Sequence, residues 1–153
     1  KAIKTALHYY RSNCENKIGV VLADADGQHS VEDIERVAKK LEETSEIILG
    51  VRNISKMPLK SKIGNCFMKL IINSKYKGNI GDTQTGLRGI PDKYVDEIAG
   101  LNGDRFEYET NMLKYVLKKQ YSISQVEIET IYLNKIKSNF KIFKDSANVL
   151  KNI

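Results

Sequence analysis

The stretch Asp24-Ala25-Asp26-Gly27-Gln28-His29 follows directly on an apolar run, Ile18-Gly19-Val20-Val21-Leu22-Ala23. Asp24, Asp26 and Gln28 bring hard oxygen donors close together with no sulfur among them. Such a set suits a hard divalent cation that keeps water or phosphate ligands, and a cation held there would clamp a diphosphate. The run before it has the length and β-branched content of a buried strand. Carboxylates leaving the C-terminal end of such a strand stand where open α/β sheets hold their ligands. If the backbone stays extended past Ala23, Asp24, Asp26 and Gln28 project to one side, because side chains alternate with period two. The plainer reading is that Asp26-Gly27 is ordinary turn chemistry.

An EF-hand loop starting at Asp24 would place Asp26, Gln28, Ser30, Glu32 and Glu35 at ligand positions. Its sixth position, which needs glycine for the sharp turn, holds His29, and the preceding segment reads as strand rather than helix, so that loop is excluded. The 153 residues allow one domain with a real core, and 41% hydrophobic content is that of a globular chain. A formal charge of +6 favours an anionic partner, whether a phosphate-bearing substrate, a membrane surface or nucleic acid. Cys14 and Cys66 lack C-x-x-C spacing and read as reduced thiols of a cytoplasmic protein. No stretch approaches the ~20 apolar residues of a membrane span, and no signal peptide is evident.

The elements that must position the acidic motif can be read from periodicity. Ile3, Ala6, Leu7 and Tyr10 predict an amphipathic helix over 2–10. Ser30, with Asp33 three residues on, predicts a capped helix whose apolar stripe is Val31, Ile34, Val37, Ala38 and Leu41. Residues 46–51 read as a second strand ending at Arg52, and strand, helix, strand makes a βαβ unit whose natural pairing is parallel. After Met57-Pro58 a helix over 59–74 has Leu59, Ile63, Phe67, Leu70 and Ile71 as its apolar positions, flanked by Lys60, Lys62, Lys69, Lys75 and Lys77. Its bland reading is a core-packing helix with a solvated basic face; its functional reading is a helix at an anionic membrane surface. A loop over 82–91, a short strand, a short helix from Asp92, a helix over 105–119, a β-rich run over 123–133 and a basic helix over 140–153 complete the chain.

Four blocks then carry a resemblance: Asp24-Ala25-Asp26-Gly27-Gln28-His29, Gly50-Val51-Arg52, Asp82-Thr83-Gln84-Thr85-Gly86-Leu87-Arg88 and Arg105-Phe106-Glu107-Tyr108-Glu109. In order and spacing the chain resembles family-2 glycosyltransferases, with its nearest likeness to the dolichol-phosphate mannosyltransferase-like branch that includes polyprenyl-phosphate sugar transferases. Residues 128–133 and Ser138-Asn139-Phe140 continue the likeness to nearly the end of the chain. The resemblance implies an α/β/α sandwich of the nucleotide-sugar transferase (GT-A) type with a mostly parallel sheet. It implies metal-dependent, inverting transfer of a sugar from a nucleotide-diphosphate donor to a polyprenyl or dolichyl phosphate. Asp24, Asp26 and Gln28 match the metal-binding motif for Mg2+ or Mn2+. Arg52 matches a basic residue near the acceptor phosphate, with Lys60 or Lys62 assisting, and Arg88 is either a phosphate ligand or a structural cation paired with a carboxylate. A cation there stabilises the departing diphosphate as a Lewis acid.

A sugar hydroxyl acceptor would need a general base, for which Asp82 ranks first and Glu107 second. A lipid monophosphate is already anionic at pH 7 and needs only orientation, in which case both carboxylates are positioning groups. Relatives of this kind open with a strand-helix-strand-helix segment that reads the nucleotide base, and nothing like it precedes Lys1. The expectation is therefore one partial catalytic domain over 1–153, lacking its first βαβ portion, inactive alone, with an uncovered sheet edge that invites self-association. The resemblance implies peripheral contact with an anionic membrane at its cytoplasmic face and no nucleic-acid partner. Two other classes stay open. A haloacid-dehalogenase-like phosphatase would use Asp24 as nucleophile with Asp26, although Gly86 stands where that family has a second carboxylate after Asp82. A basic non-enzymatic module would bind anions with strong salt dependence and no metal effect.

Overall fold

Strand β2 (Ile47–Arg52) shows why the chain folds in layers. Strand side chains alternate between faces, and Ile47 and Leu49 enter one hydrophobic cluster while Ile48 enters another. The larger cluster gathers Leu7 of α1 (Ala2–Asn13), Met68 and Ile72 of α3 (Leu59–Tyr76), Val95 and Ile98 of α4 (Asp92–Ala99), and Met112, Leu113 and Val116 of α5 (Phe106–Lys118). The smaller one joins Val37 and Leu41 of α2 (Val31–Thr44) to Ile48, Leu87 and Ile128. Helices therefore cover both faces of one open sheet, an α/β arrangement. The computed structural model describes residues 2–15, 17–103 and 106–132. The expected helix over 140–153, the block Ser138-Asn139-Phe140 and Arg105 lie outside the described residues.

The sheet order is β1-β3-β2-β4, with β1 (Gly19–Leu22), β3 (Arg88–Pro91) and β4 (Ile123–Ile128). The expected pairing of β1 with β2 does not occur. β3 lies between them and is antiparallel to both, and only β2 and β4 pair in parallel. The sheet is therefore mixed rather than mostly parallel. Strands joined through a helix are neighbours only about two-thirds of the time; here α2 leaves β1 and β2 pointing the same way, one strand apart, and β3 fills the gap. β1 is thus an edge strand among the described residues, and every one of its residues is half-buried rather than buried as expected.

Ser30 caps α2 as expected, its side chain accepting from the Asp33 N–H at 3.2 Å. Asp33 does not return the bond. Its fully buried carboxylate pairs with Arg36 and accepts the Glu129 N–H at 3.0 Å, which ties α2 to the end of β4. Val31 is exposed, so the apolar stripe of α2 begins at Ile34. The larger correction concerns α3. Leu59, Ile63, Phe67 and Leu70 are 73%, 61%, 49% and 70% exposed, whereas Gly64, Asn65, Met68 and Ile72 are buried. The helix packs on the opposite face, where Met68 and Ile72 join the main hydrophobic cluster and Asn65 finds buried hydrogen-bond partners.

Candidate active site

β1 and β2 end on the same side of the sheet, and β3 begins between them. The register sets Arg88 opposite both Leu22 and Leu49, so the acidic motif after β1, Arg52 at the tip of β2 and the Thr85–Arg88 turn converge at the carboxyl ends of the strands. At the centre lies Asp82, fully buried. Its carboxylate accepts the Arg52 side chain as a fork, Nε at 2.6 Å and Nη2 at 3.2 Å, with the Arg52 backbone N–H at 3.4 Å. Asn65 Nδ2 at 2.9 Å and the Gln84 N–H at 3.0 Å complete five donors. A carboxylate has about four lone-pair sites, so these donors occupy its accepting capacity. The Oδ1 of Asn65 in turn accepts from the Thr83 N–H and hydroxyl at 3.2 and 3.1 Å, fixing the loop on α3.

Arg88 is 2% exposed; it donates to the backbone carbonyls of Thr85 at 3.0 Å and Glu109 at 2.7 Å. Burial pulls its guanidinium below the usual range, against the opposing charges of Glu109, Asp82 and Asp24. For Arg52 the balance is reversed: burial opposes its charge, but hydrogen bonding and the charge of Asp82 hold it above its ordinary value. Burial also raises the Glu109 carboxyl, with Arg88 opposing. Glu107, the second-ranked base, is half-buried in the first turn of α5. Glu109, two residues on, interacts through its charge with Arg88 and Arg52, and sequence reasoning passed over it. The only signal was its place in the same short acidic block.

Asp24 and Asp26 are exposed, and among the described residues neither forms an ion pair. The backbone does not stay extended. It turns at residues 25–27 with Gly27 at φ +80°, and Asp26 Oδ1 accepts the Gln28 N–H at 3.0 Å. The fan of Asp24, Asp26 and Gln28 expected from strand alternation is therefore replaced by a turn that Asp26 closes. Asp24 reaches back over the Thr85–Arg88 turn, where a Cβ on Gly86 would overlap its carboxylate. Its charge is felt at His29, Arg52, Arg88 and Glu109, which places it over the cluster. Burial holds the half-buried His29 below its usual pKa, against Asp24 and Asp26, and its Nδ1 is a buried atom without a hydrogen-bond partner, as is the Tyr132 hydroxyl. Lys62 is exposed on α3, with no ion pair to the cluster among the described residues, and Lys60 stands in the first turn of the same helix.

Among the described residues no group of three His, Cys, Asp or Glu side chains could hold a metal ion by itself. Asp24 and Asp26 follow the tip of β1 with their side chains exposed, and a cation of the Mg2+ kind takes one or two carboxylates together with substrate phosphates.

An open α/β sheet with cations and carboxylates at its strand tips serves many activities, so the fold alone does not fix one. No protein-family profile matches the chain, and no solved structure matches it. Among curated proteins it is similar to an uncharacterized protein of Methanocaldococcus jannaschii, 32% identical over 120 residues, covering 74% of this chain and 49% of that protein. It is also similar to the UDP-N-acetylglucosamine--dolichyl-phosphate N-acetylglucosaminyltransferase of Methanococcus voltae, 30% identical over 122 residues, covering 73% of this chain and 47% of that enzyme. A second uncharacterized M. jannaschii protein is 27% identical over 142 residues, 86% of this chain and 61% of its own length. The chain spans about half the length of the first two relatives. A distant relative is thus a glycosyltransferase.

Proposed function

We propose that this chain forms the phosphate-handling half of a family-2-like glycosyltransferase, which transfers a sugar from a nucleotide-diphosphate donor to a polyprenyl or dolichyl phosphate. The observation that carries the reading is the Arg52–Asp82 fork beside buried Arg88, with Asp24 lying over both. Arg52, held in one orientation by Asp82 and partly exposed, can offer the rest of its guanidinium to phosphate oxygens, while buried Arg88 is spent on backbone carbonyls. The similarity to a dolichyl-phosphate transferase supports the identity of the acceptor class.

The roles follow from the environment of each residue. Asp82 aims Arg52 and neutralises part of its charge, so that Arg52 can meet an incoming phosphate without bearing an isolated buried cation. Arg88 adds a second positive field from beneath. A lipid monophosphate, with a second pKa of about 6, attacks as an anion and requires no base, which agrees with the saturated state of Asp82. Asp24 and Asp26 would hold Mg2+ or Mn2+ together with the diphosphate oxygens of the donor, and the bound cation would supply Lewis-acid stabilisation of the leaving group.

The test is calorimetric titration of the chain with nucleoside diphosphates, with and without Mn2+. Metal should tighten binding, and Asp26→Ala should remove that coupling. Hydrolysis of a phosphate monoester without any sugar donor would instead favour the phosphatase reading, and metal-independent binding that collapses with salt would favour the plain basic module.

A further inference from the structure

We infer that the hydroxyl of Tyr132 is a phosphate-binding group of this site, donating to an oxygen of the same phosphate that Arg52 meets. The inference rests on the reading of Arg52 given above and adds to it a residue from beyond the end of β4.

Four other tyrosine hydroxyls find partners within the protein: Tyr10 donates to Asp92 at 3.1 Å, Tyr108 to the Ile98 carbonyl at 2.7 Å, and Tyr115 and Tyr121 to Glu97 at 2.8 and 2.6 Å. The Tyr132 hydroxyl is buried and has none. A buried polar group without a partner has given up water and gained nothing for it. Such groups are rare in folded proteins and call for a specific cause.

The path of the chain puts this one at the strand tips. β4 runs parallel to β2 with Ile128 opposite Arg52, so the residues after β4 continue past the tip of β2. They are pinned there twice. The Asn53 N–H donates to Thr130 Oγ1 at 2.9 Å, and the Glu129 N–H donates to the Asp33 carboxylate at 3.0 Å. Tyr132, half-buried, follows close behind Thr130, near enough for a charge on its oxygen to act on the Arg52 guanidinium. The other buried side-chain atom without a partner among the described residues is His29 Nδ1, and its ring also lies within reach of the Arg52 charge. Two unsatisfied polar atoms around one partly exposed cation suit a ligand that is anionic and rich in hydrogen-bond acceptors. A phosphate is both, whereas a sugar hydroxyl carries no charge for Arg52.

Because the hydroxyl makes no bond within the protein, its removal separates binding from folding. The full chain and its Tyr132→Phe variant are compared by thermal denaturation and by calorimetric titration with farnesyl phosphate without metal and with UDP plus Mn2+. Tyr132→Phe should keep or raise Tm, since it deletes a buried group that no protein atom satisfies. It should weaken phosphate binding about tenfold, the lower end for a hydrogen bond to a charged group. A loss confined to farnesyl phosphate would assign the hydroxyl to a phosphate monoester, and a loss confined to UDP would assign it to the diphosphate; either supports the inference.

Unchanged binding of both ligands overturns it and leaves the reading of Arg52 standing, the result an ordered water on the hydroxyl would give. A lower Tm overturns it as well, because the hydroxyl would then be holding the fold. If the wild-type chain binds neither ligand, the inference and the reading of Arg52 fall together.

Discussion

Replacing Asp82 by Ala separates a positioning carboxylate from a general base. The substitution removes the acceptor of five N–H groups. It leaves Arg52, whose side chain is 16% exposed, without its anion. Breaking a buried pair by deleting one partner costs about 3–5 kcal/mol. Water reaching the partly exposed guanidinium places the expected loss near the lower bound, about 3 kcal/mol, or roughly 6–12 °C in Tm for a chain of this size. Arg52→Ala should cost a similar amount, because the fully buried Asp82 keeps only its neutral donors. The double variant Arg52→Met with Asp82→Leu replaces ions by apolar groups, a change that is often neutral or better, although Asn65 Nδ2 and the Gln84 N–H then lose their acceptor. Its loss should therefore fall well short of the sum of the Asp82→Leu and Arg52→Met losses, giving a coupling of about 2 kcal/mol in a urea-denaturation cycle. Additivity within about 0.5 kcal/mol would refute the coupling. An Asp82→Ala protein of unchanged stability that cannot transfer sugar would return Asp82 to the role of base.

Gly86→Ala should displace the exposed Asp24 carboxylate without unfolding the chain, weakening Mn2+-dependent diphosphate binding about tenfold, near the cost of one lost metal–ligand support; calorimetry reads it. Ser30→Ala deletes the cap of α2 and should lower stability by about 1 kcal/mol in urea denaturation. Glu109→Gln tests the raised carboxyl. Because burial holds its folded pKa above the ordinary 4.5, the native state retains the proton longer than the unfolded state, and the wild-type chain loses stability as pH rises above 4.5. The variant should then be the more stable protein at neutral pH, with the difference vanishing below 4.5; parallel pH profiles of Tm for the two proteins would contradict this.

Local pattern was enough for α1, α2 and α5, whose apolar residues recur at helical spacing, and for β2, which is an unbroken apolar run. It failed wherever the deciding partner was remote. Asn65 looks like a solvent-facing residue until Asp82 and Thr83, seventeen and eighteen residues later, are brought against it, and the face of α3 follows from that contact. The saturation of Asp82 depends on Arg52, thirty residues earlier. The closeness of Glu109 to Arg88 depends on how α5 is rotated against the turn that carries Arg88. The insertion of β3 between β1 and β2 could not be read from the βαβ pattern, because β3 arrives from a loop held by side-chain amides. Asn73 brackets Ile80 through both of its amide atoms, and Gln125 joins Gly81 to Asn79.

The helix that misled the pattern also builds the site. Asn65 on the buried side of α3 fixes Asp82 through its amide nitrogen and Thr83 through its amide oxygen, and Asp82 in turn aims Arg52. One buried amide thus sets both the course of the loop and the direction of the cation, while Leu59, Ile63, Phe67 and Leu70 face outward from the opposite side.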